Sequence, residues 1–196
     1  MPSHVNIPIF IPEKACPHRC IFCNQANISG QKVAPKPSEV KAIIDTYLNT
    51  IPSDRKKQVA FFGGSFTGIA IEEQKEYLEV VAPYIENRQI EGIRVSTRPD
   101  YIDITKLELL KSYHVKAIEL GAQSFNQEVL HLSSRGHTVE DTINAAGLIN
   151  EYGFELGLQM MLGLPGDTAE SATFTAQEIV RLKAQTTRIY PALVIV

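Results

Sequence analysis

Ile118-Glu119-Leu120-Gly121-Ala122-Gln123 alternates between apolar residues and polar or small ones, and a period of two is that of an extended strand. Ile118, Leu120 and Ala122 fall on one face, and Glu119, Gly121 and Gln123 on the other. The stretch from Phe154 to Leu162 repeats the pattern, with Leu156, Leu158, Met160 and Leu162 opposing Glu155, Gly157, Gln159 and Met161. A strand of an open parallel sheet, covered by helices on both faces, would instead be almost continuously apolar. One polar face therefore predicts a barrel, with the apolar face packed on helices and the polar face turned inward. Arg94, Ser96 and Arg98 in a third strand, and Arg188 and Tyr190 in a sixth, fit the same lining. Polar groups buried without partners cost a few kcal/mol each. Such a lumen is expected to receive a large polar molecule near the carboxyl ends of the strands.

Working outward, strands alternate with helical runs along the whole chain. Asn6–Pro12 reads as a first strand, and Val59–Phe62 as a second that stops at Gly63-Gly64-Ser65-Phe66-Thr67-Gly68. Ile93–Arg98 is a third, closed by Pro99; Val115–Ala122 is the fourth. The fifth, Phe154–Leu162, breaks at Gly163-Leu164-Pro165-Gly166, and Arg188–Val196 supplies the sixth. Between them, Ser38 is a candidate N-cap for a helix bearing Val40, Ile43, Ile44, Tyr47 and Leu48, and a second helix spans Glu72–Ile85. Thr105-Lys106-Leu107-Glu108 reads as a capping box, Thr138 as the cap of a helix carrying Ile143, Ala146, Leu148 and Ile149, and Asp167 or Thr168 as the cap of a helix through Leu182. The sum is an α/β chain: a six-stranded parallel partial (β/α)6 barrel, one domain over 1–196, with the last helix missing. An uncovered sixth strand carrying Ile189, Leu193, Ile195 and Val196 predicts either a core cut from a longer protein or association through that strand.

All the cysteines lie in Ala15-Cys16-Pro17-His18-Arg19-Cys20-Ile21-Phe22-Cys23, spaced C-x3-C-x2-C. Three thiolates suit a thiophilic metal centre and leave one coordination position open. An odd count argues against a disulfide framework. Two readings stay open: a structural zinc with His18 as fourth ligand, and an iron-sulfur cluster with one free iron. Thiols kept for metal imply a reducing compartment, hence the cytoplasm. No apolar run approaches the roughly 18 residues needed to span a bilayer, so no membrane partner is expected. At 44% hydrophobic and 21% charged the 196 residues suit a single buried core, while a net charge of −3 offers nucleic acid no global attraction.

With Phe22 just before the last cysteine, this loop resembles the cluster loop of radical S-adenosylmethionine (SAM) enzymes. The strings Phe-Phe-Gly-Gly-Ser-Phe-Thr-Gly, Ser-Thr-Arg-Pro-Asp, Glu-Leu-Gly-Ala-Gln-Ser, Arg-Gly-His-Thr and Gly-Leu-Pro-Gly together most resemble the radical SAM core of the Elongator catalytic subunit and its shorter bacterial relatives. The resemblance implies a [4Fe-4S] cluster on Cys16, Cys20 and Cys23, with SAM on the free iron and an electron donor of flavodoxin or ferredoxin type. It places Gly63, Gly64 and Ser65 at the SAM amino group, Ser65 standing where many members carry Glu. Similarity to the oxygen-independent coproporphyrinogen oxidase branch adds Gln123, Arg135 on the SAM carboxylate and Gln159 at the ribose, where that branch has Asp. Ser96 joins this cofactor-binding set from the third strand. The implied activity is reductive cleavage of SAM to a 5′-deoxyadenosyl radical acting on an unidentified substrate, tRNA or another anionic molecule being the candidates. The alternative is a module that holds SAM or RNA without turnover. Arg94, Arg98, Arg135, His137 and Arg188 could meet an anion, or equally neutralise Glu119 and Glu155. Elongator's cysteine loop is longer between its first two cysteines, and its acetyltransferase domain cannot fit in this chain, so neither acetyl transfer nor wobble-uridine chemistry is carried over.

Overall fold

β1 (His4–Ile11), β2 (Lys56–Gly63), β3 (Gly92–Thr97), β4 (Val115–Gln123), β5 (Glu155–Leu162) and β6 (Thr186–Pro191) pair in chain order, every pair parallel. The sheet curls into a half-barrel. The computed structural model describes residues 4–12, 15–16, 20–23 and 33–193. Helices α1 (Pro37–Leu48), α2 (Ile71–Glu86), α3 (Ile104–Ser112), α4 (Gln127–Leu132), α5 (Val139–Glu151) and α6 (Ala169–Arg181) fill the crossovers. Parallel neighbours require such connections, because a hairpin turn cannot join two strands running the same way.

The strand faces divide as the alternation predicts. Ile7 and Ile9, Val59 and Phe61, Ile93 and Val95, Ile118 and Leu120, and Leu156 and Leu158 are buried in one cluster with Val40 and Ile44 of α1, Leu78 and Val81 of α2, Leu107 and Leu110 of α3 and Ile149 of α5. Phe61 stands at its centre, its ring 5.1 Å from that of Phe66 and 5.8 Å from that of Tyr77. Truncating a buried aromatic of this kind costs about 3–5 kcal/mol.

Several boundaries differ from the sequence reading. Pro37, not a residue after Ser38, opens α1: proline is preorganised for the first helical position, and the Glu39 carboxylate accepts the Lys36 N–H at 2.6 Å. α3 begins one residue before the expected capping box, since the Asp103 carboxylate takes the Lys106 N–H at 2.9 Å. Thr138 caps α5 as expected, and Thr168, not Asp167, caps α6. α4 is an addition; six residues are too few to display a helical period, though Asn126 caps it by accepting from the Glu128 and Val129 N–H groups. β6 starts at Thr186, and the expected strand end at Ile195 and Val196 lies outside the described residues. Ile189 is 58% exposed and Leu193 81%, and no described helix follows β6.

Inside the half-barrel, Arg94 Nη1 donates to Glu119 Oε1 at 3.1 Å and Nη2 to Glu155 Oε2 at 3.3 Å, while Arg188 Nη2 reaches the same Glu119 oxygen at 3.1 Å. Two guanidiniums thus meet two carboxylates, and this cluster carries no net charge. The neutralising role holds for Arg94 and Arg188. Arg98 departs from the lining altogether: β3 ends at Thr97, alternation no longer governs the next residue, and the side chain turns into the protein with 2% exposure.

Candidate functional site

The cysteine loop docks on the segment that follows α4. Ile21 N–H donates to the Ser133 carbonyl at 3.3 Å, and Arg135 Nη1 donates to Cys20 Sγ at 3.5 Å. A turn closed by the Cys23 N–H on the Cys20 carbonyl at 3.0 Å carries those two cysteines together. Cys16 stands near them: the Ser65 hydroxyl and the charges of Arg135, Arg98 and Cys20 act on its thiol. Cys16 is exposed as a residue, yet its sulfur is crowded. Burial pushes its pKa up, opposed by Arg135, the Ser65 hydroxyl and Arg98. None of the three cysteines is in a disulfide. Among the described residues no group of His, Cys, Asp and Glu side chains is gathered in metal-holding geometry, and His18 lies outside them.

β2 contributes the glycine turn. Gly63 has φ +110°, and a Cβ there would sit 2.7 Å from the Ile11 carbonyl oxygen, so glycine is required where β2 ends against β1. The next N–H, of Gly64, donates to that same oxygen at 2.5 Å. Ser65 is buried and faces Cys16.

β4 ends in a tight turn that aims its last side chain. Gln123 has φ +68°, and the Ser124 N–H closes on the Ala122 carbonyl at 2.9 Å, a γ-turn geometry uncommon for a residue with a side chain. Gln159 Nε2 donates to Gln123 Oε1 at 3.2 Å, which brings two of the expected cofactor residues together. Gly121 makes room for them. A Cβ there would lie 2.7 Å from Arg135 Nη2 and 2.9 Å from Gln123 Nε2. Arg135 Nη2 donates to the Gly121 carbonyl at 2.8 Å, while its Nε is buried and without a hydrogen-bond partner among the described residues. Ser96 sits apart from this group and donates to Glu119 Oε2 at 3.4 Å.

Behind Arg135 is a bracket. Arg98 donates through Nε and Nη2 to the two Asp100 oxygens at 2.9 and 2.8 Å, and through Nη1 to the Arg135 carbonyl at 2.9 Å. Burial raises the Asp100 pKa, but Arg98's hydrogen bonds and charge outweigh it and hold that carboxyl below the usual range. His137 is 2% exposed and pairs Nε2 with the Ala122 carbonyl at 3.3 Å. Burial, then Arg135 and Arg98, lower its pKa to about 3, so the ring is neutral and donates through Nε2. Sequence reasoning missed these supporting roles of Arg98, Asp100, Gly121 and His137. Asp100 belongs to the Ser-Thr-Arg-Pro-Asp string, but no period in the sequence connects it to Arg135. Two surface clefts, of about 370 and 360 Å³, lined in part by Phe125 and Phe174 and by His131 and His137, lie outside the cysteine group.

The cysteine loop, the Arg135 guanidinium and a glycine turn lie at one end of a parallel half-barrel. The sequence profile of the radical SAM superfamily matches residues 11–179, and the chain belongs to that superfamily. It is similar to an uncharacterized protein of Methanocaldococcus jannaschii, 28% identical over 92% of this chain and 58% of the other. It is likewise similar to a tRNA uridine(34) acetyltransferase of Methanocaldococcus infernus, 27% identical over 92% of this chain and 41% of that protein. The chain thus spans about half the length of these curated relatives. Among solved structures, the Methanocaldococcus infernus Elp3 with an N-terminal deletion superposes with a TM-score of 0.74 at 24% identity, over all of this chain and 47% of that one. No described helix is long and apolar enough to cross a membrane.

Proposed function

We propose that the chain is a radical SAM enzyme in which Cys16, Cys20 and Cys23 hold a [4Fe-4S] cluster and SAM lies over the ends of β2, β4 and β5. The observation that carries this reading is the Arg135 side chain, which joins the cysteine loop to the β4 terminus and keeps an Nε–H with no partner among the described residues. A carboxylate is the acceptor that such a charged donor fits. The donor set suits a cluster in kind, three soft sulfurs that leave one coordination position open.

Held by Cys16, Cys20 and Cys23, the cluster would supply one electron for reductive cleavage of SAM, the source of its hydrogen-abstracting chemistry. The chain's own residues bind and orient. Arg135 grips the methionine carboxylate, Gly63 and Gly64 let the amino group approach the backbone without side-chain interference, and Gln159 with Gln123 faces the ribose. Ser65, buried beside Cys16, offers its hydroxyl or backbone to the same amino group. The electron comes from a flavodoxin- or ferredoxin-type donor in the cytoplasm. An RNA substrate, suggested by the name of the acetyltransferase relative, would enter a lumen whose charged cluster is already balanced, so recognition falls to shape and neutral hydrogen bonding rather than to net charge.

Iron, zinc and sulfide analysis after anaerobic reconstitution tests the cluster. About four irons per chain in the wild type, lost in Cys16→Ala, Cys20→Ala and Cys23→Ala, is the expected result. One zinc and no sulfide would establish the structural-zinc reading instead.

A further inference from the structure

Arg135 and Cys20 meet away from water: the two residues are 8% and 7% exposed, with Nη1 3.5 Å from Sγ. Reduction potentials of iron-sulfur centres follow net charge, solvent exposure and hydrogen bonds to the sulfurs. A donor carrying full positive charge, placed on a ligand sulfur where water screens it poorly, favours the state with the extra electron.

The contact is also held in place. Arg98 clamps the Arg135 carbonyl while Asp100 occupies the other edge of the Arg98 guanidinium. Arg135 N–H donates to the Leu130 carbonyl at 3.0 Å, and its neighbours Ser134 and Gly136 both take left-handed φ, +52° and +84°. A backbone fixed on both sides leaves the guanidinium little room to withdraw from the sulfur.

Resting on the reading that Cys20 ligates the cluster, we propose that Arg135 raises the cluster's reduction potential through the Cys20 sulfur, and that Arg98 is the positioning residue that keeps it there. The couple is a one-electron reduction; the electron is supplied from outside, and no bond to the protein forms or breaks. This role is separate from gripping SAM, since it operates with SAM absent.

The test is a redox titration with dithionite, followed by electron paramagnetic resonance, on reconstituted protein without SAM. Arg135→Gln should titrate at lower potential than wild type. Its reduced-to-oxidised ratio at the wild-type midpoint should fall about tenfold, equal to about 59 mV for one electron. Arg135→Lys, which keeps the charge without the fork, should fall between them. Arg98→Gln should move the midpoint the same way by less, whereas a merely structural Arg98 would lower thermal stability and leave the midpoint alone. If Arg135→Gln fails to take up iron, the Arg135→Lys and Arg98→Gln titrations decide. Midpoints coinciding with wild type in every variant that loads would overturn the proposal. A wild type that takes up no iron would overturn the cluster reading first, and this inference with it.

Discussion

Replacing Arg135 with alanine removes the guanidinium and spares the loop that carries it. The loop is held through main-chain groups, the Arg135 N–H on Leu130 and its carbonyl under Arg98, and neither contact uses the deleted side chain. What the free protein loses is one charged hydrogen bond to the Gly121 carbonyl and the contact with Cys20, about 1.5–3 kcal/mol of stability. SAM binding loses a contact between two charged groups, again about 1.5–3 kcal/mol, so affinity should weaken by about 10- to 150-fold. Arg135→Lys should recover only part of this, because an ammonium lacks the planar fork. Equilibrium titration of SAM into preparations matched for iron measures the difference. Affinities within about twofold in wild type, Arg135→Ala and Arg135→Lys would remove Arg135 from the SAM site, together with the placement of Gln123 and Gln159 that depends on the same alignment.

Gly121→Ala should weaken SAM binding with little change in melting temperature, because its Cβ meets only the far ends of the Arg135 and Gln123 side chains; unchanged affinity would mean that those ends do not set the site. Glu119→Leu leaves the buried Arg94 with only the half-exposed Glu155 and should cost about 3–5 kcal/mol in urea unfolding, a loss below about 1 kcal/mol being the contrary result. His137 titrates near 3 in the folded chain against 6.5 as the ordinary value, so the unfolded chain binds its proton more readily between those limits. The stability this group contributes is complete above pH 6.5 and is lost as pH falls toward 3, at up to about 1.4 kcal/mol per pH unit. His137→Gln should flatten that slope between pH 5 and 7, and an identical slope would refute a buried neutral imidazole.

The half-barrel is legible in β4 and β5 because their alternation reports two different environments, helices on one side and a polar interior on the other. The same logic fails one residue beyond β3, where Arg98 leaves the strand and becomes a clamp. Charge pattern shows Arg94, Arg188, Glu119 and Glu155 as potential partners but cannot pair them; the sheet does so by stacking β3 to β6 in register. The candidate site draws attention in the sequence where chemistry demands particular side chains, as at the cysteines and Arg135, and the structure brings Arg135 to Cys20. It is obscure where the demand is for space or for support, as at Gly121 and His137.

Whether these residues make a radical enzyme or a binding module is decided by the product of SAM cleavage. Reconstituted wild-type protein incubated anaerobically with dithionite and SAM should form 5′-deoxyadenosine and methionine together, and a Cys20→Ala preparation should form neither. A fully loaded wild-type cluster that binds SAM and yields no 5′-deoxyadenosine would contradict the enzymatic reading and leave a SAM-binding module in its place.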